Sequence, residues 1–294
     1  MAIVEPADFQ RRMVRRKWQG RAFHLLCLLA ILIGLSMLGA LLYNIISQGW
    51  DHINWQFLTG FPSRHPERAG IYGPLVGSVY VVSIAAVTSF TLGVGAAIFL
   101  EEYTTRGWFV RVVQTNISNL AGVPSIVYGL LGLEIFARTL GLGSSVLAGG
   151  LTMALLALPI VIIAAEEALR AVPPSLREGA YALGATRWQT IWHLVLPQAF
   201  PGILTGVILA VSRAIGEAAP LIVVGAVAFI PYAPDGPLSN FTVLPLQIFN
   251  WISRPQAEFH EVAAAGILVL LAVLLSMNGV AVLLRLKFQK SSEG

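Results

Sequence analysis

The stretch VPPSLREGAYALGATRWQTIWHLVLPQAFP, Val172 to Pro201, is a polar island between two long apolar runs, and its reading decides the architecture. Two helix-start signals lie inside it. Ser175 followed by Glu178 has the form of a capping box, and Thr186 followed by Gln189 is a second, so the spacing predicts helix, turn, helix. Gly184 falls where the first helix needs a left-handed residue at its end, and Pro197 is expected to stop the second helix. Trp188, Ile191 and Trp192 share helical spacing and would give the second helix one apolar face. An amphipathic pair placed between membrane spans offers a protein in the aqueous phase a handle on the helices either side. The plainer alternative is a solvated connector.

The flanking sequence favours the membrane. Of the 294 residues, 56% are hydrophobic and only 12% charged, and the mean hydropathy is +0.75. That balance excludes an ordinary soluble domain and points to an all-α, polytopic membrane protein. A crossing needs about 20 apolar residues, and about six runs qualify. They are Ala22 to Ile46, Val76 to Leu100, Ile117 to Leu140, Val146 to Leu169, Gly202 to Phe229 and Val262 to Leu286. The third is interrupted by Asn116, Asn119, Pro124, Glu134 and Arg138.

Lysine and arginine gather on cytoplasmic segments, which orients the chain. An N-terminal tail with Arg11, Arg12, Arg15, Arg16, Lys17 and Arg21 lies on one side together with Arg106, Arg111, Arg170, Arg177, Arg187, Arg285, Lys287 and Lys290. The other side keeps Arg64, Arg68, Arg138 and Arg254. Both termini and the helix pair are therefore expected in the cytoplasm, and the net charge of +4 reflects topology and membrane lipid, not a nucleic-acid partner. The first apolar run is too long for a cleaved signal peptide and reads as a retained anchor. Its one cysteine, Cys27, leaves no intramolecular disulfide to staple the outer loops. Those loops, Ser47 to Leu75 and Ile230 to Glu261, are too short to form a receptor domain, so a solute receptor would be another chain. Within the second, Val243 to Ile252 suits a short helix at the outer interface, with Trp251 at its end.

Two charges fall inside the fifth run. An ionised side chain in the membrane costs at least about 2.5 kcal/mol unless paired or wet. Arg213 and Glu217 are four residues apart, so they share one face of a continuous helix and can neutralise each other. Pro220 removes the hydrogen bond that the Gly216 carbonyl would accept, so a kink is expected beside them. Two readings stay open. Arg213 could meet an oxyanion with its planar fork while Glu217 parks it between substrates, or the pair could be a structural ion pair that never meets solute. Glu134 and Arg138 suit an interfacial structural pair, Glu101 and Glu102 are expected to be solvated or in loose contact with an ATPase partner, and Gly202 with Gly206 would let a neighbouring helix approach closely. No GxxxxGK[ST] loop is present, so energy from ATP must come through a partner. The five histidines show no metal-ligand spacing and no nucleophile elbow occurs, so neither a metal site nor an enzyme is expected.

Glu178, Ala180, Gly184, Ile191, Leu196 and Pro197 fall at positions that resemble the E-A-A, G, I-x-L-P loop of the membrane subunits of ABC importers, with Gly179 at the position of the first alanine. Further blocks are AGIYGPLVGSVY (69–80), AIFLEEY (97–103), GVPSIVYG (122–129), EEALRAVPP (166–174) and RAIGEAAP (213–220). In this order they resemble the permeases of phosphate importers, the PstA-like family, over nearly the whole chain. Ala218 stands where that family usually has threonine. The resemblance implies a type I importer permease fold, with a basic tail (1–21), a permease domain (22–286) carrying a coupling helix-turn-helix at 172–198, and a C-terminal tail (287–294). It implies that the loop, with Trp188 on its face, docks on a cytoplasmic ATPase. The implied partners are a PstC-like permease, a PstB-like ATPase dimer and a periplasmic PstS-like phosphate receptor, with ATP used by the ATPase and no cofactor held by this chain. An importer of another oxyanion such as sulfate, and an ion-coupled secondary transporter, are the alternatives. The latter would show internal repeats, and none is visible.

Overall fold

A computed structural model of the chain describes residues 6–104, 107–227 and 229–292. Arg106 and the side chains of Arg11, Arg12, Arg15, Arg285, Lys287 and Lys290 lie outside the described residues. Among the described residues the α-helices are α1 (Pro6–Gly49), α2 (Trp55–Thr59), α3 (Tyr72–Ile98), α4 (Trp108–Ala121), α5 (Ser125–Gly132), α6 (Val146–Arg170), α7 (Pro174–Ala182), α8 (Arg187–Thr190), α9 (Leu196–Ile215), α10 (Ala219–Val224), α11 (Leu244–Ile252) and α12 (Ala257–Ser292). Underwound π turns extend α3 (Phe99–Tyr103) and α5 (Leu133–Thr139), and a third (Ile191–Val195) joins α8 to α9.

Five helices among the described residues are long and apolar enough to cross a membrane: Arg16–His52, Tyr72–Tyr103, Val146–Arg170, Arg187–Ile215 and Ala257–Val280. At the interrupted third run, α4 and α5 with its π turn meet at an angle of 103°, and the bent pair counted as one span makes six. Pro124 explains the break. It has no N–H to continue α4, and it holds φ −54° and ψ 135° at the start of α5. The short helix expected at 243–252 is present as α11, and its tryptophan is a packing residue. Trp251 is fully buried, with its ring centroid 6.2 Å from that of Phe57. The short α2 supplies Phe57, so the segment between α1 and α3 folds over α11 and covers the indole.

The centre of the bundle is α6, flanked by α3 and α9. Water leaves no hydrophobic drive between helices inside a bilayer, so close van der Waals contact must hold them. Gly202 and Gly206 provide it. A Cβ on either would stand 2.8 Å and 2.2 Å from the methyls of Ala168 and Ala164, so α9 lies directly against α6. Buried Val161, Ala165 and Leu169 of α6 then meet Ile203, Val207 and Ala210 of α9 in one apolar cluster. By contrast α1 is exposed along its membrane window and lies against α12.

Candidate coupling loop and translocation face

The polar island folds as α7, a turn and α8. Its first cap differs from the expected capping box. Helix α7 begins at Pro174, with Pro173 before it and no side-chain cap. Proline at N1 has its φ preset and no N–H to satisfy, so the helix starts two residues early and Ser175 falls inside it. The second box is present as expected: Thr186 Oγ1 accepts from the Gln189 N–H at 3.3 Å, and the Thr186 N–H donates to the Gln189 side chain at 2.9 Å.

Gly184 ends α7 in the left-handed region, at φ +83°. Its N–H donates to the Tyr181 carbonyl at 2.9 Å, and the Ala185 N–H reaches back to the Ala180 carbonyl at 3.1 Å. These two bonds make a Schellman end, the reason a glycine is needed here. The turn thrusts Leu183, which is 90% exposed, into solvent. Beyond it Trp188 and Trp192 stack at 5.5 Å between ring centroids, both more than half exposed. Glu178 is exposed, and Ala180 and Leu196 are partly covered.

Two expectations about this loop are corrected. Ile191 does not share the tryptophan face, because it is 1% exposed and belongs to the interior. Nor does Pro197 stop the second helix. The Leu196 N–H bonds back five residues to the Ile191 carbonyl, and this π turn absorbs the N–H that Pro197 lacks. Arg187–Ile215 is therefore one helix, and the loop's second half is the first turns of the fifth span.

Sequence reasoning missed the anchoring of this loop. Glu101 and Glu102, expected to be solvated, are nearly buried. The carboxylate of Glu101 receives Nε and Nη2 of Arg170 at 3.2 and 2.9 Å. The side chain of Glu102, 6% exposed, receives Nη2 of Arg177 at 2.7 Å. Arg177 also donates to the carbonyls of Val172 and Leu169 at 2.7 and 2.8 Å, capping the end of α6. The Arg187 guanidinium lies 5.8 Å from the Tyr103 ring centroid. A signal was available: two carboxylates end the second span on the side where two arginines flank Pro173 and Pro174.

Arg213 and Glu217 do not form the expected pair. Arg213 is exposed on the last turn of α9, Glu217 is half-buried in the break before α10, and no hydrogen bond or ion pair joins them among the described residues. Four-residue spacing brings side chains together only along an unbroken helix, and α9 stops at Ile215. The kink expected near Pro220 is in effect this break. One residue before Arg213, Ser212 donates to the Asn278 side chain of α12. Glu134 and Arg138 do pair, at 3.1 Å and well exposed. Gln114 of α4 donates to Glu166 of α6 at 3.1 Å, which ties the bent pair to the central helix.

A bundle of membrane helices with a rigid, exposed helix-turn-helix between two of them defines an integral-membrane subunit of a transporter. Residues 89–290 match the family described as binding-protein-dependent transport system inner membrane component, and the chain belongs to it. It is 35% identical to "Phosphate transport system permease protein PstA 1" of Mycobacterium tuberculosis, over 96% of this chain and 92% of that one. To the PstA protein of Yersinia pestis it is 33% identical, over 96% and 94%. Its fold is that of ABC importer permeases. A bacterial alginate ABC transporter gives a TM-score of 0.62 over 92% of this chain and 96% of that one, at 18% identity. The MetNI methionine transporter gives 0.61 over 74% and 97%, at 16% identity. The chain is thus a multi-pass inner-membrane transporter subunit and not an enzyme.

Proposed function

We propose that this chain forms one half of the membrane pathway of an ATP-driven importer of inorganic phosphate. The observation that carries the substrate is the similarity to phosphate permeases over nearly the whole chain. The loop around Gly184 faces the cytoplasm, as do both termini, and docks on a PstB-like ATPase dimer. A PstC-like permease completes the pathway, and a periplasmic PstS-like receptor delivers phosphate. ATP acts on the ATPase subunits, and this chain holds no cofactor.

Docking uses Leu183, Trp188 and Trp192, which present apolar area at low entropic cost. When ATP closes the ATPase dimer, the loop is drawn inward. Because Arg187–Ile215 is a single helix, displacement at Trp188 is carried along about 40 Å of rigid rod to Arg213. Arg213 is the group suited to a phosphate dianion, since its fork offers paired donors and no carboxylate among the described residues occupies it. Glu217, set across the break, repels an anion that lingers and favours its release. Hydrolysis resets the bundle.

The test is uptake of radiolabelled phosphate by proteoliposomes holding the chain with its co-purified subunits, with sulfate as competitor. Uptake that needs ATP, resists sulfate and disappears in Arg213→Gln is expected. Uptake of sulfate in preference to phosphate would reassign the substrate, and normal transport by Arg213→Gln would take that residue off the path.

A further inference from the structure

We infer that Glu101, Glu102 and Tyr103 act as a clasp that ties the coupling loop to the second span and sets how much of the loop's displacement reaches the bundle. This rests on the reading of the Gly184 loop as the ATPase contact. Three consecutive residues each engage an arginine from a different segment: Arg170 at the end of α6, Arg177 in α7 and Arg187 in α8. All three lie in the π turn Phe99–Tyr103. Closing a turn over five residues instead of four narrows the angle between successive side chains, so neighbours that an α-helix would splay can serve one surface.

The first half of the loop has little else to hold it. Helix α7 buries none of its residues fully. Leu176 is only partly covered against the main apolar cluster. The contact with most at stake is therefore Glu102 with Arg177, whose side chains are 6% and 18% exposed. A carboxylate so buried is tolerable only while paired, which makes the contact all-or-none and gives the clasp a defined closed state. The outer pair, Glu101 with Arg170, is half open to water on the arginine side and can be exchanged more freely. A polar cleft of about 350 Å³ runs beneath these residues and is lined by Thr104, Pro174 and Tyr181 as well. Movement of the loop against α3 thus opens a wet seam and does not tear an apolar core.

These are positioning residues, so the test needs a readout that lost stability alone would not move. In proteoliposomes of the whole complex, two quantities are measured for wild type, Glu102→Gln, Glu101→Gln, Arg170→Gln and the Glu101→Gln/Arg170→Gln double variant. They are phosphate taken up per ATP hydrolysed and amide hydrogen exchange over 174–190. Loop exchange is expected to quicken about tenfold or more in Glu102→Gln, which strands a buried guanidinium, and about threefold in Glu101→Gln. Uptake per ATP should fall in the same order, and the double variant should be no worse than either single one. Loop exchange at the wild-type rate, or additive losses in the double variant, would overturn the clasp. If Glu102→Gln does not assemble, the variants of the half-exposed Arg170 and of its partner Glu101 decide alone. Should wild type itself move no phosphate, the proposed substrate fails, and the exchange data still judge the clasp.

Discussion

Charges at the Gly184 end of the bundle and charges in the fifth span obey opposite rules. Glu101, Glu102, Arg170 and Arg177 come from segments about seventy residues apart, yet they pair at hydrogen-bond distance, Glu102 almost wholly buried. Arg213 and Glu217 are four residues apart and do not touch. The first group fixes geometry, because separating a buried pair leaves a bare charge with no water to receive it. The second leaves Arg213 exposed and without an ion pair to Glu217 among the described residues, which frees its guanidinium for the anion-binding role proposed above. Proximity in sequence is therefore a poor guide to which ions pair.

That contrast can be broken at several points, ordered here by expected effect on folding. Arg177→Ala should destabilise the complex by about 3–5 kcal/mol, read as lowered thermal stability and poor recovery from membranes. If it melts like wild type, the buried pair is not structural. Gly184→Asp forces a side chain into the left-handed region at a cost of about 1–2 kcal/mol. The larger consequence should be uptake uncoupled from ATP hydrolysis, and a wild-type transport rate at normal membrane levels would refute the role of the turn. Glu134→Gln removes an exposed pair and should shift stability by no more than about 0.5 kcal/mol, with transport intact. Arg213→Gln should leave the melting temperature unchanged while abolishing phosphate uptake. Glu217→Gln should also keep its stability but slow release, seen as more phosphate retained at equal ATP turnover. A marked loss of stability in Arg213→Gln would place this arginine with the structural group and erase the contrast.

Much of the fold was legible. Runs of apolar residues located the helices, because length and hydropathy alone decide what can cross a bilayer. The Gly184 turn and the Thr186 box were legible too, since caps depend on residues within one turn of each other. Errors arose where proline has more than one outcome. Pro124 broke a span, Pro197 was absorbed by a π turn, and Pro174 started a helix before Ser175 could cap it. Each outcome depends on whether a neighbouring helix supports the altered backbone, which a local rule cannot contain.

The sequence by itself determined that the chain is a multi-span helical membrane protein, where its loop lies, and that the loop ends α7 on a left-handed glycine. These follow from solvation and from backbone sterics, both of which act within a few residues. Only the tertiary structure decided that Glu102 pairs with Arg177 of α7 and Glu101 with Arg170 of α6, that the loop is continuous with the span bearing Arg213, and that Arg213 stands without Glu217. Ion pairs between distant segments and the length of a helix through a proline are set by how α3, α6 and α9 pack. No window of sequence shorter than the bundle carries that information.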